Sequence, residues 1–226
     1  MRNKIVAAAL LAGLCLPGAG SAQLVGSGVS NNAFPFGAAT AGPGTVYQQL
    51  YAASNFLGAG FLTSVSFFSG SAGILRSGTY DLFVSTTTTP VNGGSTSNFD
   101  SNRGANNILF TSAVLAGAAP AVLTFNGAGF FYDPAAGNLL LDFRISGGVD
   151  GNVLFKSNND TNSGGVFSRY HDFGTAFIGR GLQTEFVFGA VGPQPETVPE
   201  PATMTMLATG LAGMAAARRR KNTKPA

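Results

Sequence analysis

The sequence predicts an all-β domain, an antiparallel β-sandwich or jelly roll, set between two apolar terminal segments. Three kinds of observation carry that expectation. Of 226 residues, 32 are Gly and 19 are Phe, and only 10% are charged, against about 25% charged in average soluble domains. With Thr and Ser abundant, this balance suits strands and tight turns and disfavours helices. Apolar and polar residues alternate with a period of two through much of the middle of the chain, as half-buried strands do. Turn-forming clusters punctuate these runs at Asn92-Gly93-Gly94, Asn126-Gly127, Asp133-Pro134, Gly147-Gly148 and Gly164-Gly165.

In chain order, residues 1–22 read as a secretory signal helix. Arg2 and Lys4 supply a charged start, residues 5–16 an apolar core, and Pro17-Gly18 a break. The small residues Gly18-Ala19-Gly20-Ser21-Ala22 then suit cleavage after Ala22. Cys15, the one cysteine, leaves with this segment, so no disulfide framework or thiol nucleophile is expected in the mature chain.

Residues 23–192 are the predicted sandwich. Strands are expected at 46–52, 108–115, 121–125, 153–156 and 166–171. Others come from alternation. Phe61, Thr63, Val65 and Phe67 oppose Leu62, Ser64, Ser66 and Phe68. Tyr80, Leu82 and Val84 alternate with Thr79, Asp81 and Ser85. Leu139, Leu141, Phe143 and Ile145 point one way, with Asp142, Arg144 and Ser146 the other. Thr184, Phe186 and Phe188 form a closing strand. Nine or ten strands result, and phenylalanine rings would fill the space between the sheets without needing hydrogen-bond partners.

Residues 193–198 are a proline-rich linker, and 199–226 form a terminal segment. Its apolar stretch, 202–217, would make a transmembrane helix of roughly 24 Å, slightly short of a ~30 Å hydrocarbon core. Arg218-Arg219-Arg220-Lys221 would then stay cytoplasmic. The formal charge of +3 comes from such terminal residues: seven of thirteen bases lie there, leaving six against ten acids, about −4. No basic face for a nucleic-acid partner is expected.

The order Val198-Pro199-Glu200-Pro201, marginal apolar helix, arginine cluster resembles the PEP-CTERM sorting signal, a segment also called the "ice-binding protein C-terminal" family. The resemblance covers about residues 196–221. It implies export, an inner-membrane-anchored precursor with a periplasmic ectodomain, and processing near Pro199-Glu200-Pro201 by an exosortase, with delivery to the cell surface or the extracellular exopolysaccharide. The secretion machinery and the exosortase are thus the implied partners. Residues 45–189 also resemble, more loosely, a common ectodomain of PEP-CTERM proteins. That likeness rests on Tyr47-Gln48-Gln49-Leu50-Tyr51, Ser64-Val65-Ser66-Phe67-Phe68, Gly78-Thr79-Tyr80 and Phe131-Tyr132-Asp133-Pro134 leading to Gly137-Asn138-Leu139-Leu140-Leu141-Asp142. It implies a fold and no activity.

Candidate chemistry is sparse. His171, the one histidine, stands beside Asp172 and would be the base of a hydrolase with acids such as Asp142, but no serine occupies a Gly-x-Ser-x-Gly elbow. Weak calcium candidates are Asp100, Asp150 and Asp160 in Asn-rich loops, each loop short of the six to eight oxygens calcium takes. A sugar would stack on an amphipathic ring; Tyr132 and Tyr170, near turns, are the candidates. Thr86-Thr87-Thr88-Thr89 reads as a strand leaving for a loop, since consecutive residues alternate between faces. The expectation is a non-enzymatic, cofactor-free surface or matrix (biofilm-associated) protein. The alternatives are a carbohydrate- or calcium-binding module at the envelope and, more remotely, a hydrolase.

Overall fold

Alternating sequence becomes paired strand along most of the chain in the computed structural model, which describes residues 20–38, 45–159, 167–171 and 175–189. In order, the strands are β1 (Ser21–Val25), β2 (Ser30–Asn32), β3 (Thr45–Tyr51), β4 (Gly60–Phe68), β5 (Gly78–Thr87), β6 (Ile108–Leu115) and β7 (Val122–Tyr132). They continue as β8 (Asn138–Ser146), β9 (Phe155–Asn159), β10 (Phe167–His171), β11 (Thr175–Ile178), β12 (Arg180–Leu182) and β13 (Thr184–Gly189). The helices among the described residues are short 3-10 turns, and none is long and apolar enough to cross a membrane. The expected signal helix (1–22) lies largely outside the described residues, and the expected transmembrane helix (202–217) lies wholly outside them.

Three antiparallel sheets result: a four-stranded one ordered β1-β13-β4-β7, a six-stranded one ordered β11-β10-β3-β8-β5-β6, and a small one ordered β12-β9-β2. The two larger sheets face each other across an aromatic core. Phe67 of β4 and Phe125 of β7 meet Phe143 of β8 with ring centroids 5.8 and 5.2 Å apart, and Phe186 of β13 meets Tyr51 of β3 edge-on at 4.8 Å. Phe36, on the turn after β2, reaches into the middle. Its ring lies 5.0 to 5.7 Å from those of Phe67, Tyr80, Phe125, Phe143 and Phe155, so one side chain contacts all three sheets.

Several expectations need correction. The alternation on β4 does not run straight through, because its pairing with β13 slips by one residue: Val187 and Phe188 are consecutive but face Ser64 and Leu62, leaving Thr63 extra on β4. Leu62 therefore faces the core with Val65 and Phe67, while Phe61 faces out. A β-bulge of this kind reverses the facing of everything on one side of it. On the other side of β4, the pairing with β7 absorbs Gly127-Ala128-Gly129, so Asn126-Gly127 is not a turn; the strand runs on to Tyr132. A Cβ at Gly127 would come within 2.3 Å of the Phe110 ring, and Gly129 has φ of +101°, which explains glycine at both. The short strands β1, β2, β11 and β12 went unread because three to five residues carry too little alternation to register.

The outer face of the six-stranded sheet is not solvated as its polar residues predict. Loop residues around 91–103, including a 3-10 turn at Phe99–Asn102, lie over it. Leu50, Leu140 and Tyr170 form a second small core there with Val91. The Tyr170 hydroxyl donates to the Val91 carbonyl and accepts from the Gly94 N–H at 3.1 Å. Asn102 donates to the Gln48 Oε1 at 2.7 Å, and Gln48 donates to the Phe99 carbonyl at 2.9 Å. β3 is consequently buried on both faces.

The same cover buries Asp142 completely. Its carboxylate accepts from Arg103 Nε at 2.6 Å and from Arg144 Nε and Nη2 at 2.9 Å each. Asp100 closes the cluster, 3.1 Å from Arg103 and 2.8 Å from Arg144, and the Arg103 guanidinium lies 4.9 Å over the Phe83 ring. Burial alone disfavours the Arg144 charge, but its bonds to Asp142 and Asp100 outweigh that and raise its pKa.

Two substitutions test this arrangement by urea denaturation. Phe36→Ala leaves a void between three sheets and should cost about 3–5 kcal/mol. Asp142→Ala leaves two partly buried arginines with only the exposed Asp100 between them and should cost about 3 kcal/mol.

Candidate functional site

A polar cleft opens where the small sheet meets the edge of the six-stranded one. It is lined by Ser30, Asn31 and Asn32 of β2, Ser157 and Asn158 of β9, Arg180 of β12 and Arg169 of β10, and its volume is about 80 Å³. The chain builds it through Gln49 of β3, a fully buried amide. Gln49 donates to the Leu182 carbonyl at 2.8 Å and accepts from the Leu182 N–H at 3.0 Å and from the Tyr47 hydroxyl at 2.5 Å. These bonds fix β12 over the six-stranded sheet. The close approach requires Gly181, where a Cβ would lie 2.7 Å from both Gln49 Nε2 and the Phe167 ring. Tyr51 bonds Thr184 at 2.6 Å just beyond, anchoring the start of β13.

Arg169 and Arg180 dominate the cleft's charge. Burial lowers the pKa of Arg169 and the neighbouring charge of Arg180 lowers it further, while Tyr47 opposes both. Asn158 receives the Ser27 hydroxyl on its Oδ1, and Asn32 donates to the Phe34 carbonyl at 3.1 Å. The side chains presented are guanidinium, amide and hydroxyl. Nothing in the sequence marked this cleft, because its members come from four strands, two of them, β2 and β12, too short to read.

The residues singled out from sequence do not converge on one site. Tyr132 is fully buried, its hydroxyl donating to the Gly137 carbonyl at 2.9 Å, and Tyr170 is 1% exposed beneath the 91–103 cover. Neither offers an open ring face for a sugar, which corrects the expectation from their nearness to turns: both turns fold back over the rings. Desolvation raises the pKa of both hydroxyls, as it does for Tyr47 and Tyr51, and pushes Tyr80 up to about 12. The exposed aromatic rings among the described side chains are Phe61 (37%) and Phe131 (48%), a cross-strand pair 5.3 Å apart on the outer face of the four-stranded sheet.

The calcium candidates are engaged otherwise. Asp100 pairs with Arg103 and Arg144, and Asp150 lies 3.4 Å from Arg76. The Asn98 side chain caps its own turn by accepting from the Ser101 N–H. Asp160 and Asp172 lie outside the described residues. No group of three or more His, Cys, Asp or Glu that would hold a metal occurs among the described residues.

His171 is 6% exposed and sits edge-on to Phe34 at 5.3 Å. Burial, aided by the charge of Arg169, pulls its pKa down to about 4. It is neutral at pH 7 but faces protein rather than an open pocket. Because its folded pKa is below the ordinary 6.5, the unfolded chain binds the proton first. Stability should therefore fall by about 1–3 kcal/mol as pH drops from 6.5 to 4. His171→Gln should flatten that part of the profile, measured by denaturation at a series of pH values.

Ala22, the expected last residue of the signal, pairs with Val187 in β1, opposite β13. Cleavage after it would leave Gln23–Val25 in the strand. Gln23 accepts from the Leu57 N–H at 3.0 Å and Val25 is part of the core, so the new terminus would remain held. Val198, Pro199, Glu200, Pro201, Arg218, Arg219 and Arg220 lie outside the described residues.

The family model for the PEP-CTERM protein-sorting motif matches residues 197–221. No curated protein and no solved structure matches the chain significantly. The chain thus carries a PEP-CTERM sorting motif, which implies an exported surface protein made as a membrane-anchored precursor and processed by an exosortase.

Proposed function

We propose that the chain is a non-enzymatic protein of the extracellular matrix or cell surface, delivered there when an exosortase removes its C-terminal segment. The sorting motif at 197–221 carries this reading. Two further features support it. The domain has few charges and many Ser, Thr and Asn, a surface that is well hydrated without strong fields and compatible with polysaccharide surroundings. Its one histidine is buried and neutral against Phe34, a poor position for a general base, which must reach substrate.

In this reading the periplasmic domain folds while residues 202–217 hold it at the inner membrane. The proline-rich stretch at 193–198 separates that domain in sequence from Pro199-Glu200-Pro201, where the exosortase would cut.

The test is intact mass and fractionation of the protein from its host. The expected product lacks residues 1–22 and everything beyond about Pro199, and is found at the surface or in the matrix. Replacing Pro199, Glu200 and Pro201 together by alanine should leave the full tail and hold the protein in the inner membrane. A wild-type protein that keeps its tail and stays in the inner membrane would overturn the proposal.

A further inference from the structure

The four-stranded sheet turns an almost uncharged face away from the core: across β1, β4, β7 and β13 the one charged residue is Glu185. At one end of that face Phe61 of β4 and Phe131 of β7 are register partners. Their rings meet edge-on at 5.3 Å and are 37% and 48% exposed. Leu57, in the loop leading into that end of β4, is 91% exposed. Clustered apolar side chains left in water mark a contact surface, whereas single ones do not.

The places where the chain enters and leaves the sheet point to the occupant. Gly189, the last residue of β13, is the register partner of Phe61 on its other side. β1 begins one row away, with Ser21 opposite Phe188. Both ends of the sheet-forming chain therefore depart beside the aromatic pair. Residues 190–201 separate Gly189 from the apolar stretch 202–217, and twelve residues reach at most about 43 Å.

We propose that in the anchored precursor this end of the sheet rests on the lipid surface, with Phe61 and Phe131 buried at the boundary of headgroups and acyl chains. The proposal rests on the reading above, in which 202–217 hold the domain at the inner membrane. No Lys or Arg lies on the four strands, so the contact draws on apolar burial and not on attraction to anionic lipid. Two partly exposed rings hold lipid weakly by themselves. A tether raises the local concentration of the bilayer, so a weak contact stays occupied while the chain is anchored. Cutting the tether then frees the domain from the membrane with no further step.

The chain has no Trp, so Phe131→Trp in the full-length protein introduces a single fluorescent reporter. The variant is reconstituted into phosphatidylcholine vesicles, with Val114→Trp, at a position 79% exposed near the end of β6, as the control. Lipid brominated on its acyl chains should quench the reporter at 131 and leave the one at 114 bright, and aqueous acrylamide should do the reverse. The pattern should be unchanged between about 0.05 M and about 0.5 M salt, since no ion pair is involved. Phe61→Trp should behave as Phe131→Trp does, and it decides the matter if the other variant does not fold.

Two results would overturn the proposal. A reporter at 131 quenched by acrylamide but not by brominated lipid means that the face stays in water. A reporter that neither quencher reaches means that protein, such as a second copy of the chain, covers it. Failure here is distinguishable from failure of the anchoring reading. A chain that floats with the vesicles in a density gradient yet gives either result removes the lipid contact only, whereas a chain that does not float removes the anchor and the contact with it.

Discussion

Phe36 belongs to no strand, yet its ring is where the three sheets meet. It contacts Phe67 and Phe125 of the four-stranded sheet, Tyr80 and Phe143 of the six-stranded sheet, and Phe155 of the small one. Its carbonyl also accepts from the Arg76 N–H at 2.6 Å, which ties the turn to the chain entering β5. Sheets facing one another are held by area, and a flat aromatic ring provides a large apolar area with no polar atom to satisfy. The cleft depends on the same contact, since β9 is placed by Phe155 against Phe36 and then presents Ser157 and Asn158 to Arg169.

Polar groups do the finer positioning. Gln49, Tyr51 and Thr184 lie inside the core and are matched to specific backbone or side-chain partners. An unmatched buried amide costs about 1–3 kcal/mol, so these bonds select one placement of β12 and β13 over slid alternatives that would bury a similar apolar area. On the opposite face, Asp142 with Arg103 and Arg144 does the same for the loop segment over β8. A low-charge surface elsewhere leaves few competing partners for these ions.

The structure and the sorting motif describe two separable properties. The motif at 197–221 concerns where the protein goes, and its recognition requires an ordered string of residue types rather than a folded surface. What the domain does on arrival depends on surfaces assembled from distant strands. Arg169 and Arg180 are eleven positions apart in sequence but come together with Asn31 and Asn32, more than a hundred positions upstream, only because β2 and β12 both pair with β9.

The sequence by itself determined the all-β class, the inward faces of β5, β8 and β13, and the sorting motif. Period-two alternation and motif order are local properties that need no knowledge of neighbours. Tyr80, Leu82 and Val84 point inward as their spacing requires. Tertiary structure alone decided the rest. The bulge on β4 opposite β13 exchanged the facing of Phe61 and Leu62. The 91–103 cover buried Asp142 and Tyr170, which alternation and turn proximity had placed at the surface. Gln49 and Gly181 brought β12 over the sheet and so formed the cleft. In each case the deciding contact joins residues far apart in the chain, and burial is set by whatever packs on a face, which the strand's own pattern does not encode.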